Sequence, residues 1–222
     1  MFLKAVLFDH DGTLVDSEGA HWRIWQQVLQ PYGVDLDEDT YKAHHAGMPT
    51  VANAQDLVAR FALAVPPATL VQQKNDATRQ YLDRNAFPLM PHASEAVDAI
   101  RAKGAKLAVV TGAGPDGVQA TLRAYELADS FATIVTGEDV KRSKPAPDCY
   151  LLALERLGLK AEECIALEDT AHGVRAAAAA GLACCLVKNA FSETHDSSQA
   201  AATFGNLKDA MEWVFRNYRF AA

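Results

Sequence analysis

Over roughly the carboxy-terminal two thirds of the chain, short apolar runs alternate with amphipathic helical patterns, and this restricts the fold to a parallel sheet covered by helices on both faces. The candidate strands are residues 3–8, 106–110, 133–136, 164–167 and 183–187. Helical patterns fall near 93–103, 115–125, 147–157, 171–180 and 207–216. Gly104, Gly158 and Gly181 each follow a helical pattern, where a left-handed capping residue is expected. The expected fold class is therefore α/β, with a doubly wound, Rossmann-like parallel sheet.

Residues 17–87 interrupt the alternation with several helical patterns and no convincing strand, so they are expected to form an all-helical inserted cap domain. The core domain would then comprise 1–16 and 88–222. Pro88 and Pro91 at the exit of the insert would stiffen a hinge. An insert directly after the first strand is expected to act as a lid over the carboxyl ends of the strands, where open α/β sheets bind ligands.

Half of the 222 residues are hydrophobic, which suits a globular chain, and the formal net charge is −7. The 21 Lys and Arg residues are scattered without a basic block, so no nucleic-acid footprint is expected and phosphate recognition would have to be local. The amino terminus lacks the pattern of a signal peptide. The longest apolar stretch, 176–187, is shorter than the roughly 18 residues a membrane span needs. Cys149, Cys164, Cys184 and Cys185 show no zinc-ligand spacing and read as buried hydrophobes of a reducing cytoplasm. A cytoplasmic protein without membrane association, monomeric or homodimeric, is the expectation.

Four polar clusters punctuate the strand ends. The first apolar run ends in Asp9-His10-Asp11-Gly12-Thr13, and alternation along an extended segment lets Asp9 and Asp11 share a side. Two such carboxylates repel unless a divalent cation or a proton intervenes. The second run ends in Thr111-Gly112 before a helix opened by Pro115, where a hydroxyl and free N–H groups could hold phosphate oxygens. Closing a strand ahead of a helix cap would equally explain a threonine there. Lys144, followed by Pro145, could neutralise both a carboxylate and a phosphate, or be an ordinary exposed lysine. The fourth run ends in Glu168-Asp169, suited to a hard cation such as Mg²⁺, although Asp169 could instead cap the helix that follows.

The order and wording of these clusters resemble the haloacid dehalogenase-like superfamily, with its D-x-D-G-T, Ser/Thr, K-P and E-D motifs. The resemblance spans nearly the whole chain. The place of the helical insert is similar to that in the subgroup containing sugar-phosphate phosphatases, phosphoglycolate phosphatase and β-phosphoglucomutase. It implies a Mg²⁺-dependent phosphatase acting on a small phosphorylated metabolite through an aspartyl-phosphate. Asp9 would be nucleophile and metal ligand, and Asp11 general acid and base, ligating the metal through its backbone carbonyl. Thr111, Gly112 and Lys144 would bind the phosphoryl group, and Asp169 with Glu168 would complete the metal site. His21, Trp25 and Lys74 fall where the mutase has substrate-facing cap residues, while helix packing explains His21 and Trp25 equally well.

A β-phosphoglucomutase-like phosphotransferase is the alternative. The segment Gly47-Met48-Pro49-Thr50 lacks the arginine a mutase uses to grip a second phosphate. Asp11 argues against a dehalogenase, whose reaction has no leaving alcohol to protonate. His10, His92 and Ala113 depart from the family pattern, standing where a hydrophobic residue, a glycine and a polar residue are common.

Overall fold

The computed structural model describes residues 2–193 and 196–220. The chain divides into two compact units, Met1–Asp16 with Pro88–Ala222, and Ser17–Phe87. The first contains strands β1 (Phe2–Leu3), β2 (Ala5–Phe8), β3 (Lys106–Val110), β4 (Thr133–Val135), β5 (Cys164–Glu168), β6 (Ala183–Val187), β7 (Ala202–Phe204) and β8 (Arg219–Phe220). The helices of both units are α1 (Glu18–Leu29), α2 (Glu38–His44), α3 (Thr50–Arg60), α4 (Pro67–Leu82), α5 (Ala93–Ala102), α6 (Pro115–Ala124), α7 (Asp148–Leu157), α8 (Ala171–Ala179) and α9 (Leu207–Asn217).

Six strands form one parallel sheet in the order β4-β3-β2-β5-β6-β7. The chain builds outward from β2 to β3 and β4, then returns to the other side of β2 and builds outward again. The reversal opens a crevice beyond the carboxyl end of β2, the switch point at which such sheets bind ligands. Every side chain of β2 is fully buried, as expected of a central parallel strand covered on both faces.

The run 3–8, read as one strand in the sequence, is two. Phe2 and Leu3 pair with Arg219 and Phe220, whereas Ala5 to Phe8 pair with both β3 and β5. The partners change at Lys4, whose N–H donates to Glu163 O at 2.8 Å and whose carbonyl accepts from Lys106 N at 2.8 Å. Strands β7 and β8 have only intermediate or exposed residues, so they carry no apolar run that would announce them.

One sheet face packs Ala5, Leu7, Ala108, Val110 and Ala166 against α7 and α8. α5 contacts β3 and α9, and α9 contacts β6 and β7. α8 can approach closely because, apart from Val174, its buried face is Gly173, Ala176 and Ala177, with the two alanines fully buried. Gly104, Gly158 and Gly181 all adopt left-handed backbone conformations after α5, α7 and α8. His92, in the place of a frequent glycine, also does so, at φ 67° ahead of α5.

In the second unit all regular structure among the described residues is helical. α4 packs against both α1 and α3. Leu29, Leu36, Leu57 and Leu70 are fully buried there. Asp37 caps α2, its carboxylate accepting from Thr40 N at 2.7 Å. Among the described residues, no helix is long and apolar enough to cross a membrane.

The close approach of α8 generates a prediction. Ala177→Leu inserts volume where the helix meets the sheet and is expected to destabilise the protein by about 1–3 kcal/mol. Urea denaturation followed by circular dichroism checks it, and an unchanged midpoint would contradict the packing described.

Candidate active site

The site follows from strand register. Phe8 lies opposite Leu167 on β5, so the next step brings Asp9 alongside Glu168. Asp9 N donates to Leu167 O at 2.9 Å and continues the ladder. By alternation Asp9 shares its side with Leu7, and Glu168 with Ala166, both on the face that meets α7 and α8. Lys144, in the loop before α7, reaches the same place. Its Nζ donates to Asp9 Oδ1 at 2.6 Å, to Glu168 Oε1 at 2.6 Å and to Val110 O at 2.8 Å.

This cluster is nearly closed to solvent, with Glu168 fully buried and the side chains of Asp9 and Lys144 each 9% exposed. Tyr150 of α7, also fully buried, donates its hydroxyl to Glu168 Oε1 at 2.6 Å. Its ring centroid lies 5.2 Å from Lys144 Nζ. Asp169 Oδ2 accepts from Asn189 Nδ2 at 2.9 Å, and the same nitrogen donates to Gly12 O at 3.0 Å. Gly12 adopts φ 82°, and a Cβ there would run into the Asp169 carboxylate. A Cβ on Gly173 would likewise collide with the Glu168 carboxylate. The capping role open to Asp169 goes to Thr170, whose hydroxyl accepts from Gly173 N at 3.1 Å.

Three carboxylates surround one ammonium, so the group carries an excess of two negative charges when fully ionised. Burial raises Asp9 to about 7, and Glu168 and Asp11 push the same way against the pull of Lys144. Burial also raises Asp169 well above the carboxylate range, reinforced by Asp9 and Glu168. Burial alone would lower the Lys144 ammonium, but Asp9 and Glu168 outweigh it and hold Lys144 above its ordinary range. Two buried oxygens, Glu168 Oε2 and Asp169 Oδ1, have no hydrogen-bond partner. One ligand atom from each of Asp9, Glu168 and Asp169 lies within 4.8 Å of the others. An excess of negative charge and unpartnered hard oxygens fit a divalent cation such as Mg²⁺.

Asp11 stands apart from that carboxylate trio. Its Oδ2 accepts from Thr111 Oγ1 at 3.3 Å and meets His10 Nδ1 at 3.2 Å. Thr111 Oγ1 in turn accepts from Ala113 N at 3.0 Å, shaping the turn that exposes Gly112. Asp9, Asp11, Thr111, Lys144, Glu168 and Asp169 thus converge around the carboxyl ends of β2, β3 and β5.

The sequence model of the haloacid dehalogenase-like hydrolase family matches residues 3–181. The chain belongs to this family. It is 32% identical to the fructose-1-phosphate phosphatase YqaB of Escherichia coli, over 80% of this chain and 92% of that protein. The crystal structure of CbbY from Rhodobacter sphaeroides in complex with phosphate superposes with a TM-score of 0.76 at 28% identity, covering 93% of this chain and 98% of that one. A putative β-phosphoglucomutase from Thermotoga maritima superposes with a TM-score of 0.78 at 26% identity, covering 97% and 100% of the two chains.

The other residues singled out in the sequence lie in the helical unit. Lys74 Nζ donates to His21 Nδ1 at 3.1 Å and to Thr78 Oγ1 at 3.0 Å, and sits 5.6 Å from the Trp25 ring centroid. Burial lowers Lys74 to about 8, against the charge of Glu18. Trp25 is only 1% exposed, as the packing reading of that helix required. Glu18 accepts from Tyr41 at 2.6 Å and from Gly47 N at 3.0 Å, which anchors the segment lacking an arginine. Sequence reasoning missed Tyr150, Asn189 and Glu18. Tyr150 reads as a helix core position, and the other two are single polar residues outside any motif.

The raised Asp9 carboxyl has a consequence for stability. Between its ordinary 3.8 and about 7, the folded protein keeps a proton that the unfolded chain has released. Its contribution to stability therefore falls as pH rises through this window. Without divalent cations, the wild type is expected to lose stability relative to Asp9→Asn, which keeps the neutral shape, between about pH 4 and pH 7. Urea titrations of both proteins in EDTA measure the difference, and a pH-independent gap would contradict the assigned burial.

Proposed function

We propose that this chain is a Mg²⁺-dependent phosphatase that hydrolyses a small phosphorylated sugar or related acid through an aspartyl-phosphate on Asp9. The observation that carries the reading is the Lys144 ammonium held between Asp9 and Glu168, with unpartnered Glu168 and Asp169 oxygens beside it. The named phosphatase among its relatives supports the same reading. All four cysteines are buried and unbridged, which suits a cytoplasmic setting.

In the proposed reaction an Asp9 oxygen attacks phosphorus in line with the leaving group. The bond from phosphorus to the substrate oxygen breaks, and Asp11 gives that oxygen its proton. A water then attacks the phosphorylated Asp9, losing its proton to Asp11 and releasing phosphate. Lys144 offsets charge on the transferring group, and Thr111 with the N–H groups near Gly112 orients its oxygens. Mg²⁺, held by Asp9, Glu168 and Asp169 with the Asp11 backbone carbonyl, would supply further charge neutralisation at the phosphoryl oxygens. Phosphate monoester hydrolysis can need up to roughly 10²¹-fold acceleration, whereas one acid–base group supplies about 10²- to 10⁴-fold, so these residues must act as a set.

Substrate selection is assigned to the helical unit, where Lys74 and His21 are the polar candidates and the buried Trp25 ring packs beside them. A second reading, a mutase that holds a distal phosphate, would have to use the Lys74 ammonium, which His21 and Thr78 already engage. A single ammonium is a poorer clamp than a bidentate guanidinium, and Gly47-Met48-Pro49-Thr50 offers none. Hydrolysis is therefore preferred.

Asp9→Asn is expected to abolish Mg²⁺-dependent hydrolysis of p-nitrophenyl phosphate while leaving the circular dichroism spectrum intact. Asp169→Ala is expected to raise the Mg²⁺ concentration needed for half-maximal rate by tenfold or more, about 1.4 kcal/mol. Wild-type-like turnover in folded Asp9→Asn would falsify the mechanism. With β-glucose 1-phosphate, free phosphate is the expected main product. Glucose 6-phosphate formation that depends on an added bisphosphate primer and greatly outpaces phosphate release would establish the mutase instead.

A further inference from the structure

His10 separates the two aspartates of the first motif and is only 1% exposed. A buried imidazole is costly unless both ring nitrogens find partners, and here each has one. Nε2 lies 3.0 Å from Thr121 Oγ1 on α6, and Nδ1 lies 3.2 Å from Asp11 Oδ2. The Thr121 hydroxyl donates its only proton to Gly117 O at 3.0 Å. Its oxygen can therefore only accept from the ring, so His10 Nε2 carries hydrogen and Nδ1 is left to face Asp11.

The anchor is rigid. Thr121 is 2% exposed, on a helix that also buries Val118, Ala120 and Leu122. His10 thus ties the Asp11 carboxyl to α6, across 111 residues of sequence. Thr111 Oγ1 meets the same Asp11 oxygen at 3.3 Å. With both contacts on Oδ2, the carboxyl plane is set from β3 and from α6. A ring nitrogen without hydrogen can accept from a carboxylic O–H, the state in which Asp11 has a proton to give. The family resemblance places a hydrophobic side chain here, which could make neither contact.

We propose that His10 is a positioning residue that, braced by Thr121, holds the Asp11 carboxyl in the orientation from which it protonates the leaving group. This rests on Asp11 being the general acid of the reaction proposed above. Misplacing such an acid slows substrates whose leaving oxygen needs a proton and spares those whose leaving group departs as a stable anion.

The test compares kcat/KM for phenyl phosphate and p-nitrophenyl phosphate, since this parameter covers formation of the phospho-enzyme and not its hydrolysis. The variants are His10→Leu, His10→Asn and Thr121→Val, with Asp11→Asn as reference and thermal melts to confirm folding. His10→Leu and Thr121→Val are expected to raise the preference for p-nitrophenyl phosphate by about tenfold or more, in the direction of Asp11→Asn. Their double variant is expected to show little further change, because both break one chain of contacts. Equal losses on both substrates, or none, in folded His10→Leu and Thr121→Val would overturn the inference while Asp11→Asn still shows the preference. Should Asp11→Asn itself leave the preference unchanged, the general-acid reading fails, and the inference with it. Thr121→Val and His10→Asn keep the test open if His10→Leu does not fold.

Discussion

The buried ammonium of Lys144 is the interaction on which the carboxyl end of the sheet depends. Two carboxylates from neighbouring strands, Asp9 and Glu168, cannot share a closed space as anions without a cation between them. Lys144 bonds to both and to the Val110 carbonyl, so one side chain ties the ends of β2, β3 and β5 together. Such an arrangement is costly to desolvate, and removing one partner typically costs about 3–5 kcal/mol because it leaves buried charge uncompensated.

The parallel sheet supplies the place for these charges. Its order reverses beside β2, so β2 is flanked by β3 and β5 and the loops after all three strands open into one crevice. Glycine is confined to the close approaches there. Gly12 and Gly173 stand where any side chain would strike Asp169 or Glu168. Tyr150 and Asn189 complete the scaffold, each occupying one oxygen of a carboxylate and leaving another unpartnered. In the proposed reaction those unpartnered oxygens would help hold the cation.

Much of this was legible in the sequence, for a physical reason. A central parallel strand must be apolar until it reaches the crevice, so Asp9, Thr111 and Glu168 announce themselves where an apolar run stops. Lys144 lies in a loop and was visible only through the proline after it. Strands β7 and β8 escaped notice because a half-exposed edge strand needs no apolar run. β1 merged with β2 because a change of hydrogen-bond partners at Lys4 leaves no mark on hydropathy. Thr170 rather than Asp169 caps α8, since the carboxylate of Asp169 is engaged by Asn189. Tyr150 could be read only as core, because its hydroxyl has meaning only against Glu168.

The central claim is that Asp9 becomes covalently phosphorylated. Rapid acid quench of the enzyme during turnover of p-nitrophenyl phosphate with Mg²⁺, followed by peptide mass spectrometry, tests it directly. The account predicts a phosphoryl group on the peptide containing Asp9, lost on treatment with hydroxylamine and absent from Asp9→Asn. Active enzyme quenched under the same conditions with no phosphoryl group on that peptide, or with one on another residue, would contradict it.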